Sequence, residues 1–572
     1  MSIDVTALRV DGSECDGFSF ETSEATAGRR TDVTLRATSR NAAEAGIRVE
    51  LLLPPAEDPR WLVPGAFYGE NRPAESKQRF PRFVPGRADL EAMESSAWSF
   101  RADRCATPAV CSGDTALVTT ERSELGQSGV GLAYEDGQPI LRLHFPYREE
   151  PLTYDGSQAP APPDVRVHSW EPGETATLRF SIHRASPPGD VVRDVYARGG
   201  RATDPAWMGV AEAAELAAWG LYRWHFREDP GRLIEAAPFD RSLAAEDRDA
   251  MHVSWVSGAP YAYALLRHGR RVGNDDYVRA AESVLDHIAA SSTPGGTFWS
   301  QWTAERGWTT GWHPDRQRLH ARTLADAALF MLRAGEAWAE AAHSTVAVAV
   351  RTQREDGALP AAHHVETGEA VSWDGTAGLA WIPALVEAGY LDEARSAGAY
   401  YERFEHYRGA PEDVDLASTS EDGYGALMAY VALEDWANAR RAADWMLTFR
   451  YSYDVAFDPA TTLGRHGFRS RGADNASPAN PHLHAFGLIC HAELKRLAEA
   501  TGDEHYAERA REHFDCFRQF IAREDGDFGA QRGMVTERYF QTGAFGEKGS
   551  LLPLSHAWSI GVLLLACEDE LG

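Results

Sequence analysis

Two patterns of apolar residues divide this chain into two parts. Before about residue 190, apolar positions form short aliphatic and β-branched runs, such as 33–38, 47–53 and 177–182, which clusters of Gly, Pro, Asp and Ser separate. Such runs are typical of strands in antiparallel sheets. After about residue 205, apolar residues recur three and four positions apart, which is the period of an amphipathic helix. The sequence therefore predicts a β part followed by an α part.

The α part contains twelve segments of helical period, and the connections between them alternate in length. Each odd-numbered segment is followed by a loop of roughly 15 to 30 residues, and each even-numbered segment by a turn of roughly 2 to 6. This alternation predicts six helical hairpins in a ring, an (α/α)6 toroid, with the even-numbered helices as the inner layer. The long loops then share one face, where function is expected. The segments are 206–226, 257–268, 275–290, 319–334, 337–352, 376–388, 391–405, 422–432, 434–449, 482–500, 503–522 and 555–570.

Together these patterns predict an α+β multidomain protein. We expect an antiparallel β-sandwich over residues 1–190, because short strands at regular spacing favour that arrangement. The toroid is expected over 205–572, with 191–204 as a linker after a stretch rich in Pro and Gly.

Charge and hydropathy exclude several classes of protein. The formal net charge of −28 argues against a general nucleic-acid-binding protein, because such proteins need cationic surfaces. The chain contains no apolar run near the roughly 20 residues of a membrane helix, so we expect no membrane partner. It opens without the basic and apolar regions of a secretory signal, and we therefore expect it in the cytoplasm.

Sequence motifs for cofactors and metals are missing. The chain has no phosphate-binding loop, dinucleotide-binding motif, zinc-protease motif or nucleophile elbow. His482 and His484 lie two positions apart, whereas two metal ligands on a helix need a spacing of four. We therefore expect no cofactor and no metal.

Aromatic, histidine and charged residues are concentrated just before or within the even-numbered helices. Aromatic rings are platforms for sugar faces, and carboxylates around the same opening can supply a general acid and a general base. The expected partner is therefore an oligosaccharide substrate. Candidate catalytic residues are Asp326, Asp374, Glu421, Asp422, Glu537, His482 and His484. Candidate substrate-binding residues are His252, Trp255, Trp308, Trp312, Arg322, Trp373, Arg469, Asn480, Tyr539 and Trp558.

Several of these candidates also have a purely structural interpretation. Asp374 and the Glu421-Asp422 pair stand at predicted helix starts, where an acidic residue can be an ordinary N-cap. Arg322 and Asp326 are four residues apart and share a helix face. They form either an ion pair inside the toroid or an ordinary ion pair on its surface.

The α part resembles the six-hairpin glycosidase superfamily over about residues 205–572. Arg322-Thr323-x-x-Asp326 is loosely similar to an inner-helix motif of unsaturated glucuronyl hydrolases, and Ser372-Trp373-Asp374-Gly375 is similar to inner-helix starts in that group. A β-sandwich before such a toroid also resembles bacterial glucoamylase-type enzymes. The resemblance implies that Asp326 acts as a general acid or base.

Three functions are compatible with the sequence. The first is a glycoside hydrolase that acts on oligosaccharides, with uronic acids suggested by arginines near the opening. The second is a polysaccharide lyase or uronyl epimerase, in which Tyr539 or a histidine removes a proton while Asn480 or Arg469 neutralises the sugar acid. The third is a non-catalytic glycan-binding protein.

Overall fold

The computed structural model describes residues 3–156, 159–199, 207–241, 247–311, 316–411, 416–544 and 546–572, which form a mixed α+β fold. The candidate Trp312 lies outside these residues.

The first 183 residues contain two large antiparallel sheets. In Arg30–Ser39 the side chains alternate between buried and more accessible positions, so one face of the strand packs inward. The inward residues of both sheets, among them Val49 and Leu178, form one apolar core. The first sheet has the order Ile3–Leu8, Ala43–Leu52, Gln138–Phe145, Gly129–Glu135 and Ala97–Arg101, with His168–Trp170 paired to Ala43–Leu52. The second has the order Phe18–Ala27, Arg30–Ser39, Thr175–His183, Thr115–Val118, Ala109–Ser112, Trp61–Val63 and Phe67–Tyr68.

The rest of the chain is mainly helical. Among the described residues no helix is long and apolar enough to cross a membrane. The α-helices are α1 (Pro188–Arg198), α2 (Val210–Gly220), α3 (Ala259–Val272), α4 (Asp275–Ala289), α5 (Ala321–Ala334), α6 (Glu336–Arg351), α7 (Trp381–Glu387), α8 (Leu391–Tyr401), α9 (Ser420–Ala432), α10 (Trp436–Met446), α11 (Thr462–Arg465), α12 (His491–Thr501), α13 (Glu504–Phe517) and α14 (Ala557–Leu571).

Twelve of these helices form a closed ring of hairpins. The pairs are α3 with α4, α5 with α6, α7 with α8, α9 with α10, α12 with α13, and α14 with α2. Helices α3, α5, α7, α9, α12 and α14 contact one another in succession, and α14 returns to α3. These six inner helices correspond to the even-numbered segments of the sequence, so the predicted inner layer is confirmed.

Several predicted boundaries are wrong by one or two turns. The tenth segment was expected to start at residue 482, but Leu483–His484 pairs as a short strand with Asp474–Asn475, and α12 starts only at His491. The sixth segment starts as a 3-10 turn, Ala377–Ala380, before α7. In both places the loop satisfies its backbone groups through short pairings that local periodicity does not reveal.

A helix covers most of the predicted linker. Pro188 occupies the first turn of α1, where its missing N–H costs no hydrogen bond, and Asp190 lies at the positive end of the helix dipole. The helix packs against the α10 region. The domain boundaries at 190 and 205 remain a prediction.

The long loops are joined to one another by short antiparallel pairs. Met251–His252 pairs with Gln301–Thr303, and Arg318–His320 with Ala362–His364, so each pair connects the loops that precede two inner helices. Ala236–Pro238 pairs with Leu554–His556 in the same way. The loops therefore support one another on one face of the ring.

The N-terminal sheets contact this loop face. The Tyr154 hydroxyl donates to the Pro478 carbonyl over 3.1 Å, and the Asn475 side chain donates to the Gly65 carbonyl over 2.6 Å. The Lys548 ammonium lies 2.8 Å from the Asp103 carboxylate. Residues of the N-terminal part therefore contact the 474–484 loop, which carries two candidate histidines.

The contact between α14 and α3 depends on a glycine. A Cβ atom at Gly561 would lie 2.2 Å from the buried ring of Tyr261, so we expect Gly561→Ala to lower the free energy of unfolding by about 1–3 kcal/mol through overpacking. Gly425→Ala in α9 is the matched control, because a Cβ there meets nothing within 4 Å and should raise stability by about 0.5–1 kcal/mol. Urea unfolding of both variants measures the difference, and equal effects would contradict this account of the ring contact.

Candidate active site

The long loops enclose a cavity of about 190 Å³ above the inner helices. A smaller space of about 30 Å³ lies among the inner helices, and Glu421 and Phe486 line both spaces. The wall of the larger cavity includes Trp255, Glu421, Asn480, His482, His484, Phe486, Glu537, Arg538, His556 and Trp558.

Arg322 is the cation between the two spaces. It projects from α5 with only 6% of its side chain exposed, and its guanidinium contacts the carboxylate of Glu421. The same group lies 3.5 Å from Asp326, and it stacks 4.5 Å from the Trp255 ring and 4.7 Å from the Phe486 ring. The ion pair between Arg322 and Asp326 therefore belongs to the interior of the ring, which excludes the surface interpretation.

Asp326 is a carboxyl group that can hold a proton near neutral pH. Burial raises its pKa to about 6, although the Arg322 guanidinium opposes that shift, and the Glu421 carboxylate adds to it. One guanidinium thus contacts two carboxylates, those of Asp326 and Glu421.

Glu537 is the second accessible carboxylate of the cavity, with 16% of its side chain exposed, as in Glu421. It lies 3.1 Å from His556 Nε2 and 3.2 Å from the Arg538 guanidinium. Burial raises the pKa of Glu537, but the neighbouring His556 and Arg538 outweigh burial, so that the net pKa is lowered. Glu537 is therefore ionised at neutral pH, which suits a general base.

His482 and His484 both contribute to the cavity wall. Burial lowers the pKa of each imidazole, so both rings are neutral at physiological pH. His484 Nε2 lies 3.0 Å from the Ser420 hydroxyl and 3.2 Å from the Tyr424 hydroxyl.

Asp422 has a structural role at a helix start, which was one of its two interpretations from the sequence. It closes a capping box with Thr419 at the start of α9 and accepts hydrogen bonds from the Thr419 and Ala410 backbone N–H groups, over 2.9 and 2.7 Å. Burial raises its pKa to about 7. Both carboxylate oxygens of Asp422 accept hydrogen bonds from backbone N–H groups, while the adjacent Glu421 lines the cavity.

Trp255, Asn480 and Trp558 line the cavity as predicted, and His252 lies directly behind Trp255. The His252 ring is 5.6 Å from the Trp255 ring and accepts from the Ser254 backbone over 3.3 Å. Burial lowers the pKa of His252 to about 3, so it is a neutral supporting residue.

Three candidates that were predicted on this face lie away from the cavity. Asp374 is exposed and accepts a hydrogen bond from the Ser372 hydroxyl over 2.7 Å, in a turn that precedes the 3-10 segment. The Trp373 ring lies under the Arg354 guanidinium at 5.9 Å. The Trp308 ring packs 4.7 Å from His287 of the outer helix α4. Trp373 and Asp374 follow the strand Ala370–Ser372, and Trp308 lies within the strand Gly307–Thr309, and helical periodicity predicts neither strand.

Two residues named for the lyase alternative are also elsewhere. Arg469 forms an exposed ion pair with Asp454 over 2.7 Å. Tyr539 is fully buried against the Phe468 ring, 4.9 Å away, and burial strongly raises its pKa. Neither is positioned to contact a sugar in the cavity.

Sequence reasoning missed three residues of this site. His556 directly precedes the inner helix α14, so its position carried a usable signal. Glu235 and Arg248 form an ion pair over 3.2 Å, and their positions in the sequence gave no signal that they belong to the site. They reach the cavity wall because Ala236–Pro238 pairs with Leu554–His556 from the far end of the chain.

No protein-family model matches this chain, and no curated protein does. Solved structures that are similar to it include a polysaccharide lyase, with 9% identity, a TM-score of 0.48, and coverage of 98% of this chain and 92% of that chain. A family 76 glycoside hydrolase from a bovine Bacteroides thetaiotaomicron strain has 9% identity, a TM-score of 0.42, and coverage of 96% and 98%. The unsaturated glucuronyl hydrolase of Bacillus sp. GL1 has 13% identity, a TM-score of 0.39, and coverage of 63% and 94%.

These solved structures are six-hairpin-type enzymes. Their identities are low and their TM-scores are below 0.5. They therefore specify no activity for this chain, and its chemistry has to follow from the cavity itself.

The raised pKa of Asp326 predicts how stability depends on pH. The folded state binds this proton more tightly than the unfolded state, so the resulting stabilisation is present at low pH and is lost as pH rises through about 6. A pKa change from 3.8 to about 6 corresponds to on the order of 3 kcal/mol. We expect the stability of the wild type, relative to Asp326→Asn, to fall by up to this amount between pH 4 and pH 7. Urea unfolding across that range measures it, and a constant difference would contradict the assignment.

Proposed function

We propose that this protein is a glycoside hydrolase that acts on oligosaccharides in the cavity above the inner helices. The observation that carries the proposal is the presence of Glu421 and Glu537, together with a third carboxylate, Glu235, in one cavity with aromatic walls. Pairs of carboxyl groups on one cavity are the general acid and base of most glycosidases, and aromatic rings bind the apolar faces of sugars.

The different surroundings of the carboxyl groups support distinct roles for them. Glu537 is held ionised by His556 and Arg538 and therefore suits the base that activates a water molecule. Asp326, whose pKa burial raises to about 6, can hold the proton for the leaving oxygen, and it shares Arg322 with Glu421. Glu421 is the member of the pair that lines the larger cavity, so it is the group that contacts the substrate.

The charges of the cavity favour no particular sugar acid. The arginines of the described lining are paired, Arg248 with Glu235 and Arg538 with Glu537, and Arg322 below them pairs with Glu421. We therefore propose oligosaccharides in general as the substrate class, with uronic-acid-containing ones as a separate arm of the test.

One observation favours the alternative, a lyase or epimerase. His484 is a neutral imidazole on the cavity wall, and Asn480 lines the same wall. A neutral histidine can remove a proton beside a sugar carboxylate. The buried Tyr539 and the distant Arg469 do not support that reaction.

The hydrolase proposal predicts the behaviour of matched carboxylate variants. Glu421→Gln and Glu537→Gln keep the shape of each side chain but remove its proton chemistry, so we expect kcat/KM to fall by about 10²–10⁴-fold. Release of reducing ends from panels of neutral and uronic-acid-containing oligosaccharides is the measurement. Asp374→Asn on the surface should leave the rate unchanged.

Two results would overturn this function. If both Gln variants keep wild-type rates, the paired carboxylates do not carry the reaction. If the wild-type product absorbs ultraviolet light through a new double bond, the enzyme is a lyase instead. Circular dichroism of each variant checks that the fold is retained.

A further inference from the structure

A chain of buried polar groups continues behind His484, away from the cavity. The Tyr424 hydroxyl lies 3.2 Å from His484 Nε2 and 2.8 Å from Asp474 Oδ2. Asp474 in turn receives two hydrogen bonds from the Arg450 guanidinium, over 2.7 and 2.9 Å. All four residues are buried. The proposed hydrolysis does not use this chain directly.

The direction of each hydrogen bond in the chain follows from the types of group. Arg450 keeps the pKa of the Asp474 carboxyl low, against the effect of burial, so Asp474 can only accept. Burial also keeps the Tyr424 hydroxyl protonated, because it raises the pKa of that phenol well above its usual value. The Tyr424 proton therefore goes to Asp474, and the Tyr424 oxygen must accept from His484 Nε2–H.

The contacts of Ser420 fit the same orientation of His484. Its hydroxyl can donate to the Ala476 carbonyl over 3.2 Å, which leaves its oxygen as an acceptor toward His484 Nε2 at 3.0 Å. Two acceptors thus face the same ring nitrogen. The neutral His484 ring carries its hydrogen on Nε2 and a lone pair on Nδ1.

The chain orients His484, although burial keeps the ring neutral. A hydroxyl separates the ring from Asp474, and Arg450 pairs with that carboxylate. Burial lowers the pKa of His484; Glu421, Asp474 and Glu537 act to raise it, but burial, with Arg322 adding to its effect, outweighs them.

Gly487 makes this arrangement possible. A Cβ atom at that position would lie 2.4 Å from Asp474 Oδ2 and 3.0 Å from the Arg450 guanidinium. Any larger residue at 487 would therefore displace the carboxylate that orders Tyr424. The glycine lies in the 3-10 segment Phe486–Cys490, between His484 and α12.

We infer that Tyr424, Asp474 and Arg450 are positioning residues that fix His484 with Nε2 protonated, so that its Nδ1 accepts a hydrogen bond from a sugar hydroxyl in the cavity. Among the described residues, Nδ1 of His484 has no hydrogen-bond partner of its own. His484 is on the cavity wall. The role of Nδ1 toward a sugar rests on the proposed function, whereas the tautomer does not.

The tautomer can be measured without a substrate. In the full-length protein labelled with ¹⁵N-histidine, we expect the His484 resonances at neutral pH to show a protonated Nε2 and an unprotonated Nδ1. A spectrum of His484→Gln assigns the signals, because they disappear in that variant. A protonated Nδ1, or a mixture of both forms, would overturn the inference whether or not the protein hydrolyses any sugar.

Tyr424→Phe tests the positioning role. This variant removes one acceptor of Nε2–H and leaves the ring in place, so we expect the protonated-Nδ1 form to appear in the spectrum. On any oligosaccharide that the wild type cleaves, KM should rise about tenfold with little change in kcat, as expected for a lost hydrogen bond to bound substrate.

Tyr430→Phe is the matched control. It removes another buried hydroxyl from the same helix, one that donates to the Gly398 carbonyl over 3.5 Å and is distant from His484 in the hydrogen-bond network. We expect it to change neither the tautomer nor KM. Equal changes in both variants would show a general effect of losing a hydroxyl and would overturn the positioning role. If the wild type cleaves no sugar but keeps the predicted tautomer, only the proposed function fails.

Discussion

The guanidinium of Arg322 is the group on which the interior of the ring depends. It lies among two carboxylates and two aromatic rings, with 6% of its side chain exposed. A buried cation of this kind is tolerated only when it is paired and hydrogen-bonded, and Glu421 and Asp326 are its partners. Arg322 holds Glu421 at the cavity, and it limits how far burial raises the pKa of Asp326.

The same constraint explains why the cavity holds so many charged groups in an apolar ring. The inner helices contribute alanines and leucines to the core, so each charge that reaches the lumen needs a partner nearby. Glu537 has His556 and Arg538, Glu235 has Arg248, and Asp474 has Arg450. The raised pKa of Asp326 and the lowered pKa of Glu537 are the basis for assigning an acid and a base.

Much of the ring could be predicted from the sequence, because helical hairpins are local. Apolar periodicity located the twelve helices, and the alternation of long and short connections identified the six inner ones. Glu421, Glu537, His482 and His484 lie on the cavity because each precedes an inner helix or begins one. Asp374 and Trp373 satisfied the same rule and still lie outside, since the strand at Ala370–Ser372 turns them away.

The sequence by itself determined the number of helical hairpins, their order and the face that carries the long loops, since these depend on local period and connection length. It did not determine which charged residues of that face meet. Glu235 reaches the site through a strand pairing with residues more than 300 positions away. Glu421, which pairs with Arg322, and Tyr424, which bonds to His484, likewise come from α9. Only the tertiary structure decided these contacts, because closing the ring brings together side chains that no local pattern relates.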